Sequence, residues 1–168
     1  MSFEHLAPLF EKYRGKGVLV DTNLLLLLLV GSIDGKHLSE FKPTANRGFT
    51  ASDYELLCWM LDQFPRILTT PHILTEVSNH AEQLKGKPGQ LLVDEITRLS
   101  QKADEHYEKS RELVVKDGFR KFGLTDTAIG NLPAGQFLVL TVDFPLSGWL
   151  QKRGVDVVNF NQLRPQCW

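Results

Sequence analysis

The stretch VLVDTNLLLLLLVG, Val18 to Gly31, constrains this chain more than any other. Nearly every residue in it is apolar, so the run belongs inside a fold, yet Asp21, Thr22 and Asn23 interrupt it. A carboxylate removed from water without compensation is strongly disfavoured. The acid therefore has to sit where a partner can meet it. A membrane span needs roughly 20 uninterrupted apolar residues, and this run is shorter and carries a charge. The preceding MSFEHLAPLFEKYRGKG is polar and lacks the sequence of basic, apolar and small-residue regions of a secretory signal. The expectation is a soluble, cytoplasmic protein that is neither exported nor bound to a membrane. Cys58 and Cys167, the only cysteines, form no disulfide-like or metal-like pattern, which fits a reducing compartment.

A chain of 168 residues suits one domain, 1–168, with a substantial core. Its net charge of -1 gives no overall basic signature of nucleic-acid affinity. Any nucleic-acid binding would have to use a local patch or metal ions. No internal repeat or low-complexity tract is present. The segment 31–52 is rich in Gly, Pro, Ser and Asn and reads as an irregular insertion or flap.

Apolar runs and helix signals alternate along the chain. GVLV (17–20) reads as a short buried strand, and Leu24 to Val30 as a helix beginning just after Asp21. Ser52 with Glu55 forms a capping-box pattern for a helix ending near Phe64. RILTT (66–70) is a second strand, followed by Thr70 as N-cap and Pro71 as N1 of the next helix. GKPG (86–89) breaks the chain. Leu92, Ile96, Leu99 and Ala103 predict one or two long helices between Leu91 and Lys116. Another helix starts near Thr125. QFLVLTVD (136–143) has no alternation, as expected of a parallel strand covered on both faces. A helix follows with Gly154 at its stop, then a last strand over 155–160. Such alternation predicts an α/β sheet with helices on both faces. Four strands are clear; a fifth would lie hidden between 80 and 125.

This pattern gives the acids positions. Sites in open α/β sheets form outside the carboxyl ends of the strands. Asp21 and Asp143 each follow a strand directly. Glu76 lies on the helix leaving RILT, and Asp126 lies in the first turn of its helix. Four carboxylates from four remote segments would repel one another if they met, and a hard divalent cation with oxygen ligands would relieve that repulsion. Each acid also has a plainer reading. Asp21 and Asp143 are good helix N-caps, Asp126 suits a first helical turn, and Glu76 alone is a helix residue. His72, Glu76 and His80 share one helix face at four-residue steps, which would suit zinc.

VLVDTNLLL, TTPHILTEVSN, GLTDTAI and LTVDFPLSGWLQKRGVDVVNF resemble, in order and spacing, the successive motifs of the PIN-domain nucleases, the family that includes the VapC-type toxins. The resemblance runs from about Gly17 to Leu163. It implies a three-layer α/β/α sandwich with a parallel sheet in 3-2-1-4-5 order. It also implies that Asp21, Glu76, Asp126 and Asp143 are the catalytic ligands of one or two Mg²⁺ or Mn²⁺ ions. Asn23 and Thr141 match polar positions that line such a site. The implied reaction is metal-assisted hydrolysis of RNA phosphodiester bonds. Implied partners are an RNA substrate, a second copy in a homodimer and, for the toxins, an antitoxin-type inhibitor. The sixteen residues before the first strand and the long segment 31–52 depart from the compact toxin pattern, so toxin status is not carried over.

RNA phosphates call for cations. Arg111, Lys116, Arg120 and Lys121 precede the Asp126 motif, and Arg47 lies in the irregular segment. Phe41 and Phe49 would either stack on a base or anchor that segment to the core. Two other readings compete. A haloacid-dehalogenase-type phosphotransferase needs a second Asp two residues after the first, where this chain has Asn23. A catalytically silent scaffold binding RNA or protein is the non-enzyme alternative.

Overall fold

The computed structural model describes residues 3–164; Cys167 lies outside them. Five parallel strands form one sheet: β1 (Val18–Val20), β2 (Ile67–Thr69), β3 (Asp104–Glu105), β4 (Leu138–Thr141) and β5 (Val157–Asn159). Their order is β3-β2-β1-β4-β5. The expected three-layer α/β/α architecture and strand order are what the chain adopts. In register, Val18 lies opposite Ile67 on one side and Leu138 on the other, and Leu140 lies opposite Val158.

In chain order the helices are α1 (Phe3–Tyr13), α2 (Thr22–Ile33), α3 (His37–Glu40), α4 (Lys42–Ala45), α5 (Ala51–Leu61), α6 (Pro71–Ala81), α7 (Gly86–Lys102), α8 (Ser110–Leu113), α9 (Phe119–Asn131) and α10 (Phe144–Lys152). α2 packs against α5, α6 and α7, whereas α9 packs against α8 and α10 and meets α6 at the carboxyl edge of the sheet. Right-handed crossovers account for this separation. Stepping from β1 to β2 and β3 puts connecting helices on one face; reversing to β4 and β5 puts them on the other. The reversal at β1/β4 is the topological switch point.

The Leu-rich run is helix α2, and its burial on nearly all sides reflects its place between the sheet and three other helices. Among the described residues no helix is long and apolar enough to cross a membrane. Thr70 and Pro71 cap α6 as expected, with the Thr70 hydroxyl accepting from the Ile73 N–H at 3.3 Å. Gly154 ends α10 in the left-handed region at φ 75°.

Several expectations are corrected. The polar N-terminal segment is a helix, because Leu6, Phe10 and Tyr13 recur on one face and are buried. Segment 31–52 is not irregular throughout: α2 runs through Gly31, and the one-turn helices α3 and α4 follow. α5 is capped by Thr50 and not by Ser52; Asp53 closes the box by accepting from the Thr50 N–H at 2.9 Å. Of the two roles open to Phe41 and Phe49, burial bears out the anchoring one. GKPG does not break the chain but opens α7, since Pro88 lies in the first turn, where its missing N–H is tolerated. The long helical reading over 91–116 ends at Lys102, and the hidden strand is β3, two acidic residues at the sheet edge.

Helix α9 bends at Gly123, whose φ of 77° and ψ of -170° are non-helical. Both limbs meet Trp149 on α10: Phe122 on the first, and Gly130 on the second, which carries Asp126. Trp149 stacks on Phe122 with centroids 4.9 Å apart and receives the Arg153 guanidinium at 5.1 Å. A Cβ on Gly130 would come within 2.1 Å of the Trp149 ring. A rigid, stacked indole cannot swing aside. Gly130→Ala should therefore lower stability by about 1–2 kcal/mol in urea unfolding, because the clash outweighs the ~1 kcal/mol helix-propensity gain of alanine.

Candidate functional site

The site begins with how β1 ends. The Asp21 N–H bonds to the Leu140 carbonyl at 3.0 Å, completing the β1–β4 pairing. Its side chain then turns back to cap α2, Oδ1 accepting from the Leu24 N–H at 2.9 Å. Oδ2 accepts from the Thr141 hydroxyl and, at 3.2 Å, from the Val142 N–H. Asp21 is only 4% exposed. Burial pushes its carboxyl above the ordinary range; the bonds from Thr141, Leu24 and Val142 and the charge of Arg47 work against that shift.

Asp143 has the same dual position at the end of β4. Its Oδ1 accepts from the Leu146 N–H at 2.7 Å and so caps α10. Glu76, in the second turn of α6, is clamped by two threonines: Thr22 Oγ1 donates to Oε2 at 2.7 Å and Thr125 Oγ1 to Oε1 at 2.5 Å. These bonds tie α6 to α2 and to α9. Asp126 differs from the other three: its carboxyl makes no hydrogen bond or ion pair among the described residues. Burial first, then the charges of Asp143, Asp21 and Glu76, push it up to about 7.

All four carboxylates line one cavity of about 180 Å³, together with Thr22, Asn23, Phe122, Thr125, Ile129 and Leu146. Asn23 is there as expected, and Thr141 supports the site from below through Asp21. No lysine, arginine or histidine is among these lining residues. The acids face one another across the cavity without closing into a ready-made set of three or more ligands; among the described residues there is no such group. The donor chemistry nevertheless fits a hard cation, with oxygen atoms only, net negative charge and no internal cation to neutralise it.

The cationic candidates divide. Lys121 lies beside the site, its Nζ 4.9 Å from the ring of the cavity-lining Phe122. Arg47 is exposed, and its charge acts on Asp21. Arg111 pairs with the adjacent Glu112 at 3.7 Å, and Lys116 and Arg120 are exposed with nothing tying them to the cavity. The zinc arrangement does not assemble. Glu76 turns to the threonines, His80 Nδ1 lies 3.3 Å from Gln83 Nε2, and His72 Nε2 lies 3.5 Å from Ser110 Oγ. Sequence reasoning missed the clamping role of Thr22 and Thr125; the signal was their adjacency to Asp21 and Asp126 in DTN and TDT. Comparison with protein-family models, curated proteins and solved structures finds no match.

Asp126 generates a pH prediction. Its folded value lies above its unfolded one, so its contribution to stability is full below the ordinary carboxylate range and is lost as pH rises through about 7. In EDTA, the melting temperature should fall between about pH 5 and about pH 8, and Asp126→Asn should flatten that fall. The shifts of Asp34 and Asp156 are downward, so their contributions are complete before this window opens. Thermal melts of the two proteins in parallel buffers check it; equal slopes would contradict the assignment.

Proposed function

We propose that this protein is a Mg²⁺- or Mn²⁺-dependent ribonuclease of PIN-like type. One observation carries the reading: Asp21, Glu76, Asp126 and Asp143, from four remote elements, line one cavity at the switch point of the parallel sheet, with no cation among the lining side chains. Like charges gathered around one small cavity are unfavourable, and this arrangement makes sense when a dication completes it.

The four acids would hold the metal, with Asp21 central. A bound dication supplies two things: a lowered pKa for a water molecule and neutralisation of charge at the phosphate. The chain's own residues do the rest. Thr141 and the Val142 and Leu24 amides fix Asp21 in one orientation. Thr22 and Thr125 hold both oxygens of Glu76. Asp126 holds a proton up to about pH 7 and would have to lose it to ligate a cation, so metal affinity should rise with pH through that range. No nucleophilic side chain is required, because water is the attacking group. The motif resemblance supplies the choice of RNA, and Lys121 and Arg47 provide positive charge near the cavity.

A catalytically silent RNA- or protein-binding scaffold is the second reading. One fact favours it: the acids do not form a closed ligand set among the described residues.

Asp21→Asn separates the two. Asparagine is a good N-cap, so the helix start survives, but its amide nitrogen cannot accept the two bonds that reach Oδ2, for about 2 kcal/mol. Cleavage of a mixed RNA pool in Mg²⁺ or Mn²⁺ should fall at least about 100-fold, since outer-shell changes alone reach that size. EDTA should abolish the wild-type activity. Metal binding by calorimetry with no turnover on any RNA would favour the scaffold.

A further inference from the structure

Arg164 is 9% exposed and uses all five of its guanidinium donors. Nε and one Nη2 bond reach Asp53 Oδ1 and Oδ2, both at 3.1 Å. Nη1 donates to the Arg47 carbonyl at 3.0 Å and to Asn161 Oδ1 at 3.3 Å. Nη2 also donates to the Gly48 carbonyl at 2.5 Å. Asp53 is fully buried and forms the capping box of α5, so the charge pair is rigid on both sides. Beneath it the Phe49 ring lies 5.0 Å from the guanidinium.

Two consecutive carbonyls, those of Arg47 and Gly48, are thus held from a point more than a hundred residues away. The same guanidinium is joined to the site's rim. Asn161, which it contacts, donates through Nδ2 to the Val142 carbonyl at 2.8 Å, and the Val142 N–H donates to Asp21. The turn bearing Arg47 and the carboxyl end of β4 therefore belong to one hydrogen-bonded frame.

The side chain presented by that turn shares with Arg120 the lack of an acid partner among the described residues, but only Arg47 sits on the clamped frame. Arg66, Arg98 and Arg111 are each in an ion pair with an acid. The Arg47 guanidinium makes no hydrogen bond or ion pair among the described residues, yet it is the one cation whose charge acts on Asp21. An exposed arginine on a clamped turn beside an acidic cavity is suited to receive an anion that the cavity alone would repel.

We propose that Arg164 is a positioning residue that presents Arg47 at the rim of the carboxylate cavity, where Arg47 receives a backbone phosphate of the RNA strand. This rests on the ribonuclease reading for the identity of the anion. It assigns the buried Arg164–Asp53 pair a role in substrate affinity in addition to tying α5 to the end of the chain's last described turn.

The test is binding of a fluorescently labelled single-stranded RNA by anisotropy, in EDTA so that cleavage is off, across a salt series. Arg47→Gln, an exposed change, should raise Kd about tenfold and make the log–log salt slope shallower by about 0.7, as for loss of one phosphate contact on a single strand. Arg164→Lys keeps the charge facing Asp53 but cannot reach all five acceptors; it should raise Kd in the same direction. The double variant should bind within about twofold of Arg47→Gln, because a positioning residue has nothing left to position. A purely structural Arg164 would lower the melting temperature and leave Kd alone, or add its full effect to that of Arg47→Gln; either result overturns the positioning role. If Arg164→Lys does not fold, Arg47→Gln decides: unchanged Kd and salt slope overturn the proposal. Wild-type binding without cleavage in parallel Mg²⁺ assays would count against the ribonuclease reading and leave the phosphate contact to be judged on these Kd values. Wild-type protein with no RNA affinity overturns both.

Discussion

The buried carboxylate of Asp21 is the interaction on which the rest of the structure depends. It joins three parts of the fold that have no covalent reason to meet: the end of β1, the first turn of α2 and the end of β4. Two central strands that pair only over three residues would fray at their carboxyl ends without it. The three donors, together with the positive end of α2, offset much of the loss of hydration. The offset is incomplete, which is why the group titrates above its ordinary range. A hydrophobic residue there would remove that penalty. The chain instead keeps a charge at the position where an open parallel sheet binds ligands.

The cap and ligand readings of Asp21 and Asp143 turn out not to compete. A residue that follows a strand and precedes a helix has its backbone in the extended region, with its side chain near the free amides of the next turn. That is the N-cap geometry, and at a sheet's carboxyl edge it is also the site geometry. Asp21 and Asp143 both cap with Oδ1 and both line the cavity. Capping immobilises each carboxylate at no cost in extra residues and points two helix N-termini at the same small volume. Those two positive ends soften the repulsion between the acids without neutralising any of them.

What the sequence disclosed follows from the range of the forces involved. β1 and β4 were legible because strands covered on both faces are nearly uninterrupted apolar runs, and the caps at Thr70 and Gly154 because they are local chemistry. β3 was not legible: two acidic residues at a sheet edge carry no hydrophobic signal, and they join the sheet by backbone bonds to Leu68 and Thr69. The stripe of Leu6, Phe10 and Tyr13 was present in the sequence, but Pro8 inside it and the charged pair Glu11 and Lys12 masked it. The choice of Thr50 over Ser52 as the cap could not be made locally, since both have an acid three residues on. Asp53 is drawn inward by Arg164, a partner 111 positions away, and that long-range pair decides the register of the helix start. The acids were legible as individuals; their meeting depended on strand order, which periodicity does not encode and which came from the motif resemblance.

The threonines show how the cavity distributes its charge. Thr22, Thr125 and Thr141 each give a hydroxyl to a carboxylate, fixing its direction while leaving its negative charge in place. A lysine or arginine in any of these positions would have formed an ordinary buried ion pair and closed the site to other cations. With neutral donors, Asp21 and Glu76 stay oriented, Asp143 is held by a backbone amide, and Asp126 has no donor of its own among the described residues. Burial, and after it repulsion from Asp143, Asp21 and Glu76, pushes the Asp126 carboxyl up to about 7. A dication would relieve that repulsion, since it would answer all four carboxylates at once. The threonines thus orient the carboxylates, and with no lysine, arginine or histidine among the lining residues the cavity's acids stay unmatched by positive charge there.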